Sequence, residues 1–212
     1  MIEIKNLTKK FGKAVSLNNV SVNFNKNDHI ALMGANGAGK TTLIRLMLGY
    51  YHPNDGQVLI NGLDPINNRI DVLKNISFVP QLPPPISLNL DDLLSYIEKS
   101  SDTKREDIFY YAKEMELDLQ GNMNKSFFKL SGGMKQKLLI AISLAKKSDI
   151  MIFDEPTANL DPKARDNFYR LLKEIRTEKV MLFVTHRLDE VESLVNRQIY
   201  MDLGEIVSDE KI

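Results

Sequence analysis

A glycine-rich stretch, Gly34 to Thr41, carries the residue types that bind a phosphate group. It reads GANGAGKT and fits the pattern G-x-x-x-x-G-K-[ST]. Glycines let backbone N–H groups approach phosphate oxygens closely, and the start of a following helix favours an anion. Lys40 would reach the β- and γ-phosphate oxygens, and the hydroxyl of Thr41 would bind Mg²⁺. The stretch therefore predicts a site for a nucleoside triphosphate.

Two adjacent carboxylates follow an apolar run later in the chain. Asp154 ends IMIFD (150–154), and Glu155 comes next. A strand end at the carboxyl edge of a sheet directs such side chains at a ligand crevice. We expect Asp154 to hold Mg²⁺, commonly through water, and Glu155 to orient or deprotonate the attacking water. The alternative is a solvated turn, which the four apolar residues before the pair and Pro156 after it disfavour.

The stretch KLSGGMKQK (129–137) has the composition of a second anion site. A serine and two glycines precede a run that is predicted to be helical from Met134, so bare N–H groups and a hydroxyl stand at a helix start. The alternative is an ordinary helix start that Ser131 caps, because serine is a favoured N-cap. Residue types that suit phosphate binding are thus found at two separate places in one small chain.

Alternating strands and helices are predicted to position these stretches. The predicted strands are 2–4, 20–24, 29–33, 57–61, 76–80, 150–154, 180–184 and 198–202. The predicted helices are 41–48, 89–99 with Asn89 or Asp91 as a cap, 105–117, the run from 134, 162–175 and 187–195. No strand signal appears between about 90 and 145. The pattern indicates an α/β fold with a mostly parallel sheet that is interrupted by a helical insert.

Composition narrows the classes of function. The 28 basic and 28 acidic residues balance, so no bulk excess of positive charge favours nucleic acid. The absence of cysteine excludes disulfides and thiolate metal sites and favours the cytosol. The longest apolar run, 138–145, is far shorter than the roughly 20 residues that span a bilayer. Any work at a membrane is therefore expected to go through a partner.

One motif points elsewhere and is set aside. Asn25 to Asp28 reads NKND, which matches the N-K-x-D pattern that reads guanine in GTPases. In GTPases that pattern lies downstream of the phosphate loop, whereas here it lies upstream, between two predicted strands. Asn and Asp residues at such a place favour a turn. We therefore predict a turn at 25–28.

The motifs taken together resemble the nucleotide-binding subunit of an ATP-binding cassette (ABC) transporter, along essentially the whole chain and in family order. GANGAGKT is similar to the Walker A loop, and IMIFDE to the Walker B strand. LSGGM is similar to the signature LSGGQ, with Met134 in place of glutamine. ANLD (158–161) is similar to the D-loop. Gln81 matches the Q-loop glutamine, and His186 matches the switch histidine.

The resemblance implies a P-loop NTPase fold in one ABC ATPase domain, residues 1–212. It implies an N-terminal antiparallel β portion and a core formed by residues 1–88 and 146–212. A helical subdomain, about 89–145, would carry the signature.

The resemblance also implies ATP and Mg²⁺ as ligands. Catalytic roles are implied for Lys40, Gln81, Glu155 and His186, the last as a sensor of the γ-phosphate. Metal contacts are implied for Thr41, Gln81 and Asp154. Nucleotide contacts are implied for Phe11, Gly34, Asn36, Gly37, Ala38, Gly39, Lys40, Thr41, Thr42, Ser131, Gly132, Gly133 and Asp161.

Four of these assignments keep a plain alternative. His186 could be an ordinary surface or core histidine, and Gln81 could be a polar loop residue. Phe11 stands where the family has an aromatic residue, often tyrosine, that stacks on adenine, but an aromatic beside Gly12 could instead pack inward. Asp161 could cap the helix that Pro162 opens as well as cross a dimer interface.

Family subunits pair head to tail, with each ATP between the phosphate loop of one and the signature of the other. The second anion site would then serve the nucleotide of a second copy, or of a paralogous cassette. The Q-loop and helical subdomain, roughly 81–120, would form a groove for an integral membrane permease subunit. Packing inside the subdomain explains the apolar IFYY (108–111) equally well. The resemblance places the chain at the cytoplasmic face of the membrane, with no direct nucleic acid partner.

Three functions compete. A transporter ATPase is favoured. A soluble ABC ATPase of translation or chromosome maintenance would need two cassettes, or a long coiled coil between Walker A and the signature, and Lys40 and Ser131 lie too close in sequence for that. A GTP switch lacks support. The short form resembles subunits of ABC-2-type exporters, and the run FDEPTANLDPKAR is similar to the cassette of copper-enzyme maturation in nitrous oxide reductase assembly.

Overall fold

Residues 1–212 are described by the structure, a computed structural model, and they form two units. The first unit contains residues 1–76 and 176–212, and the second contains residues 77–175. No helix combines the length and the apolar composition that a membrane crossing requires.

A three-stranded antiparallel sheet opens the first unit. It has the order β2-β1-β4, where β1 is Ile2–Phe11, β2 is Ala14–Phe24 and β4 is Asp55–Ile60. Ile2 pairs with Phe24 on one side and with Ile60 on the other, and all three side chains are buried. The alternation of buried and exposed residues along these strands is typical of a sheet with one face on a core.

The other strands of the first unit hold the phosphate loop. β3 (His29–Met33) lies between β7 (Val180–Val184) and β8 (Arg197–Asp202) and is parallel to both, and β9 (Glu205–Lys211) pairs antiparallel with β8. Continuous apolar runs suit β3 and β7 because their residues are nearly all buried. The helices of this unit are α1 (Lys40–Met47), α2 (Arg69–Lys74) and α7 (Leu188–Val191).

The second unit is mainly helical. Its helices are α3 (Leu90–Ser101), α4 (Arg105–Glu114), α5 (Gly132–Ala145) and α6 (Pro162–Ile175), with short 3₁₀ turns at Gln120–Asn122 and Phe127–Lys129. β5 (Ile76–Val79) and β6 (Ile150–Asp154) are neighbouring strands. Buried residues of α3, α4 and α5 share one apolar cluster, which includes Leu94, Ile108, Phe127 and Leu138. The Asn89 side chain accepts a hydrogen bond from the N–H of Asp92 at 2.8 Å, so Asn89 is the cap of α3.

The predicted elements are largely confirmed, with differences at irregular places. β1 and β2 are much longer than the predicted 2–4 and 20–24, because Asn6 and Asn19 adopt left-handed conformations at register shifts and break the alternation. The helix predicted over 187–195 is helical only over Leu188–Val191. The predicted helix 105–117 ends at Glu114, ahead of the left-handed Glu116.

Two elements, α2 and β9, had not been predicted. The NKND segment forms the predicted turn, in which the N–H of Asp28 donates to the carbonyl of Asn25 at 2.9 Å.

Candidate nucleotide-binding site

The phosphate loop of the first unit lies between β3 and α1. Asn36 and Gly37 are exposed at its tip, whereas Ala38 and Gly39 are buried at its base. Lys40 begins α1, and its ammonium donates to the carbonyl oxygens of Gly34 at 2.6 Å and of Ala35 at 3.0 Å. The strand–loop–helix context that the motif requires is therefore present.

Glycine is required at two positions of this loop. A side chain on Gly34, whose φ is 142°, would place Cβ 2.2 Å from the carbonyl oxygen of Met201. Gly39 has φ 102°, and its Cβ would lie 2.7 Å from the carbonyl oxygen of Ser16. Close contacts with β8 and β2 thus set the backbone path of the loop, and a glycine-rich path of this kind suits the close approach of an anion.

The two threonines at the start of α1 have different surroundings. Thr41 is exposed in the first turn. The Thr42 hydroxyl lies 2.8 Å from the hydroxyl of Ser16 on β2 and is half-buried. The Thr41 side chain is therefore accessible to a ligand, while Thr42 ties the helix start to the antiparallel sheet.

Phe11 ends β1 with its ring 45% exposed, so it does not pack inward. Its ring meets that of Tyr51 edge to face, with centroids 5.2 Å apart. An exposed aromatic face in the same unit as the phosphate loop has the chemistry needed to stack on a base.

The second unit presents its carboxylates at the end of β6. All four residues before Asp154 are fully buried, so the strand is fixed up to its last residue. Glu155 follows in the left-handed region with φ 47°. Such a conformation costs of order 1–3 kcal/mol for a residue other than glycine, and such strain concentrates at functional sites.

Gln81 and His186 lie just beyond strand ends. Gln81 follows β5 by two residues, in an irregular segment, and its side chain is exposed. His186 is exposed two residues after β7, and the preceding Thr185 is buried and accepts a hydrogen bond from the N–H of Arg187 at 3.0 Å. Both side chains therefore lie on loops whose starting points are fixed by the preceding strands, β5 and β7.

The signature stretch forms the start of α5. The Ser131 hydroxyl accepts from the N–H of Met134 at 3.2 Å, and the helix begins at Gly132, two residues earlier than predicted. A side chain at Gly132 would meet nothing within 4 Å, whereas Cβ at Gly133 would lie 3.1 Å from the carbonyl oxygen of Asn159. The helix start is thus exposed on one side and closely packed against the 158–161 loop on the other.

Two side chains that sequence analysis missed join α5 to the segment 156–161. Gln136 is fully buried and donates through Nε2 to the carbonyl oxygen of Pro156 at 3.0 Å. Lys137 contacts Asp161, whose other oxygen accepts from the N–H of Ala164 at 2.9 Å. These two contacts hold the pKa of the Asp161 carboxyl below its usual range, the helix-start hydrogen bond being the larger cause. A polar residue on an apolar helix face was the available signal for Gln136.

Comparison with known proteins identifies the family. The family profile described as ABC transporter matches residues 17–158. The zinc import ATP-binding protein ZnuC of Rickettsia conorii is 36% identical over 181 residues, which cover 83% of this chain and 71% of that protein. The arginine transport ATP-binding protein ArtM of Bacillus subtilis is 31% identical over 227 residues, which cover 99% of this chain and 90% of that protein.

Similarity to a solved structure supports the same family. It is a dimeric post-hydrolysis state of the ATP-binding cassette MJ0796 bound to ADP and Pi, with a TM-score of 0.85 and 29% identity over 100% of this chain and 98% of that one. The α/β class predicted from sequence, with an antiparallel portion, is confirmed. The chain belongs to the ATP-binding cassettes of ABC transporters, and it is an ATP hydrolase of that family.

Proposed function

We propose that this chain pairs head to tail with a second cassette around two ATP–Mg²⁺ sites and powers a membrane permease from the cytoplasmic face. One observation carries the proposal: a phosphate loop and an exposed signature helix start occur in the same chain. Each can hold an anion, and a head-to-tail pair would give both of them a γ-phosphate to bind.

The residues of the phosphate loop fit a nucleotide bound with Mg²⁺. The cradle admits no side chain at Gly34, and Lys40 and the exposed Thr41 stand at the start of α1. Oxygen ligands suit Mg²⁺, which would neutralise charge on the phosphates. In this proposal Thr41, Asp154 and Gln81 hold the metal.

The remaining roles concern the attacking water and the base. Glu155 positions or deprotonates the water, His186 senses the γ-phosphate, and Phe11 stacks on adenine. The exposure of Phe11 supports the stacking role, and the place of Glu155 directly after the buried strand β6 supports its role.

The dimer is tested with Glu155→Gln, which should bind ATP without hydrolysing it. We expect this variant to be a dimer by light scattering with ATP and Mg²⁺, and a monomer without them. A monomer at micromolar protein and saturating ATP, with nucleotide binding confirmed, would contradict the intersubunit role of Ser131 and its glycines.

The matched control adds Gly132→Asp to that variant. Because the space around Gly132 is open, the new side chain fits the fold, and a carboxylate suits a helix start. It would repel the phosphate of a partner's nucleotide. The double variant should therefore bind ATP at its own loop and stay monomeric.

The direction of transport is a separate hypothesis. The resemblance of FDEPTANLDPKAR to the copper-maturation cassette, and of the chain to ABC-2-type exporters, supports an export-type or maturation-type partner. The name of one relative, a zinc import ATP-binding protein, supports import. Identifying the permease decides between them.

A further inference from the structure

Phe11 is held in a cluster of four side chains, the Phe11 cluster, which consists of Lys9, Phe11, Arg45 and Tyr51. The Lys9 ammonium lies 5.0 Å from the Phe11 ring centroid and 5.7 Å from that of Tyr51. It also donates to the carbonyl oxygen of His52 at 2.7 Å. The lysine therefore fastens the end of β1 to the backbone next to Tyr51.

Tyr51 connects this cluster to the helix of the phosphate loop. Arg45, in the last turn of α1, donates through Nη1 to the Tyr51 hydroxyl at 2.7 Å. The Arg45 guanidinium also lies 5.7 Å from the ring centroid of Tyr51. One aromatic ring thus bridges α1, which begins at the phosphate loop, and Phe11.

A phenylalanine at the end of a hairpin strand has no polar group with which to fix its ring. Phe11 is exposed and lies beside the turn between β1 and β2, where its side chain could adopt several rotamers. The edge-to-face contact with Tyr51, at an interplanar angle of 74°, restricts that choice. A fixed ring loses less entropy when a base stacks on it.

We infer that Tyr51 is a positioning residue for the nucleotide base, because it fixes the ring plane of Phe11 relative to the phosphate loop. The inference rests on the proposed function, in which Phe11 stacks on adenine. It predicts that Tyr51 affects the part of the affinity that comes from the base and leaves the part that comes from the phosphates unchanged.

The test compares two ligands, ATP and inorganic tripolyphosphate, each with Mg²⁺, by calorimetry on the whole chain. Tyr51→Leu should weaken ATP binding about three- to tenfold, the range of an aromatic pair, and leave tripolyphosphate binding unchanged. Tyr51→Phe keeps the ring against Phe11 but loses the hydroxyl that accepts from Arg45, so it should weaken ATP binding less than Tyr51→Leu does and leave tripolyphosphate binding unchanged. Thermal melting of each variant shows that it is folded.

Coupling to Phe11 is tested in the Phe11→Ala background. If Tyr51 acts through Phe11, Tyr51→Leu should weaken ATP binding no further there. The inference is overturned if Tyr51→Leu changes neither affinity, lowers both equally, or keeps its full effect without Phe11. If the unmodified chain binds neither ligand, the proposed function fails and the inference with it. If Phe11→Ala leaves the ratio of the two affinities unchanged, the stacking role of Phe11 fails and the inference with it, while the proposed ATP site stands.

Discussion

At the scale of single residues, Lys40 is the side chain most directly placed for phosphate. Its ammonium donates to the carbonyl oxygens of Gly34 and Ala35, within the loop that is proposed to bind phosphate. Lys40→Ala should lower the rate of ATP hydrolysis at least about 10²-fold, because a positioned charge is lost from the transition state. The change should leave the thermal midpoint close to that of the unmodified chain. Hydrolysis within tenfold of normal would contradict the assigned role.

His29 makes the stability of the first unit depend on pH. Burial is the main cause that lowers the pKa of this imidazole, whose Nε2 lies 3.0 Å from the carbonyl oxygen of Arg176. As pH falls through about 6.5, the unfolded chain takes up the proton before the folded chain does. The free energy of unfolding should therefore fall on acidification and level off below the lowered folded pKa.

Urea unfolding between pH 7.5 and 5.5 measures this dependence. His29→Gln keeps a side-chain donor and cannot titrate, so its stability should fall less steeply over that interval. The aspartate and glutamate side chains contribute equally to the pH dependence of the unmodified protein and of His29→Gln. Equal slopes would show that His29 does not cause the dependence.

At the scale of elements, the phosphate loop is shaped by contacts outside the motif. Gly34 and Gly37 both have positive φ, but only Gly34 would bring Cβ against a backbone atom, the carbonyl oxygen of Met201. Gly37→Ala should cost about 1–2 kcal/mol of stability, from the left-handed conformation alone. Gly34→Ala should cost more and also abolish ATP binding, because the loop or β8 must shift. Chemical unfolding and calorimetry on both variants check this, and equal losses would contradict it.

Much of the fold could be predicted because buried parallel strands are continuous apolar runs. β6 and β7 have the predicted bounds for this reason. The helix α6 also has its predicted bounds, because Pro162 favours the first position of a helix. β9 was missed because GEIVSDEKI lacks a clear apolar pattern. Its extended conformation depends on antiparallel pairing with β8. The strands β1 and β2 were predicted too short because bulges interrupt their alternation.

The residues of the candidate site also fall into two groups, those that the sequence predicts and those that only the tertiary structure reveals. Lys40, Asp154 and Ser131 belong to short motifs whose chemistry is local, so their sequence neighbours are enough to predict them. Gln136 and Tyr51 act through groups 20 and 40 positions away, on Pro156 and Phe11. Only tertiary structure brings such groups together, so no spacing in the sequence predicts them.

At the scale of the whole molecule, the proposal requires a membrane protein that binds this chain. Tagged Glu155→Gln, captured from solubilised native membranes with ATP and Mg²⁺, should carry a polytopic membrane protein in stoichiometric amount. Capture with the Lys40→Ala chain, which should not bind ATP, is the matched control. Mass spectrometry of the captured protein would identify the permease and give the best lead to the cargo.

Recovery of ribosomes or DNA-repair proteins, with no membrane protein, would favour the soluble ATPase instead. The segment 81–120 would then need a different ligand. The balanced charge of the chain favours the membrane outcome over direct contact with nucleic acid.

The backbone conformation of Glu155 links the stability of the protein to its proposed activity. Glycine adopts its left-handed conformation without steric cost, so Glu155→Gly would relieve the fold at that position and remove the carboxylate at the same time. A laboratory screen that selects for heat resistance alone should enrich Glu155→Gly, and the proposed hydrolytic role of Glu155 would be lost. Under the proposed function, stability and hydrolysis would therefore compete at this one position.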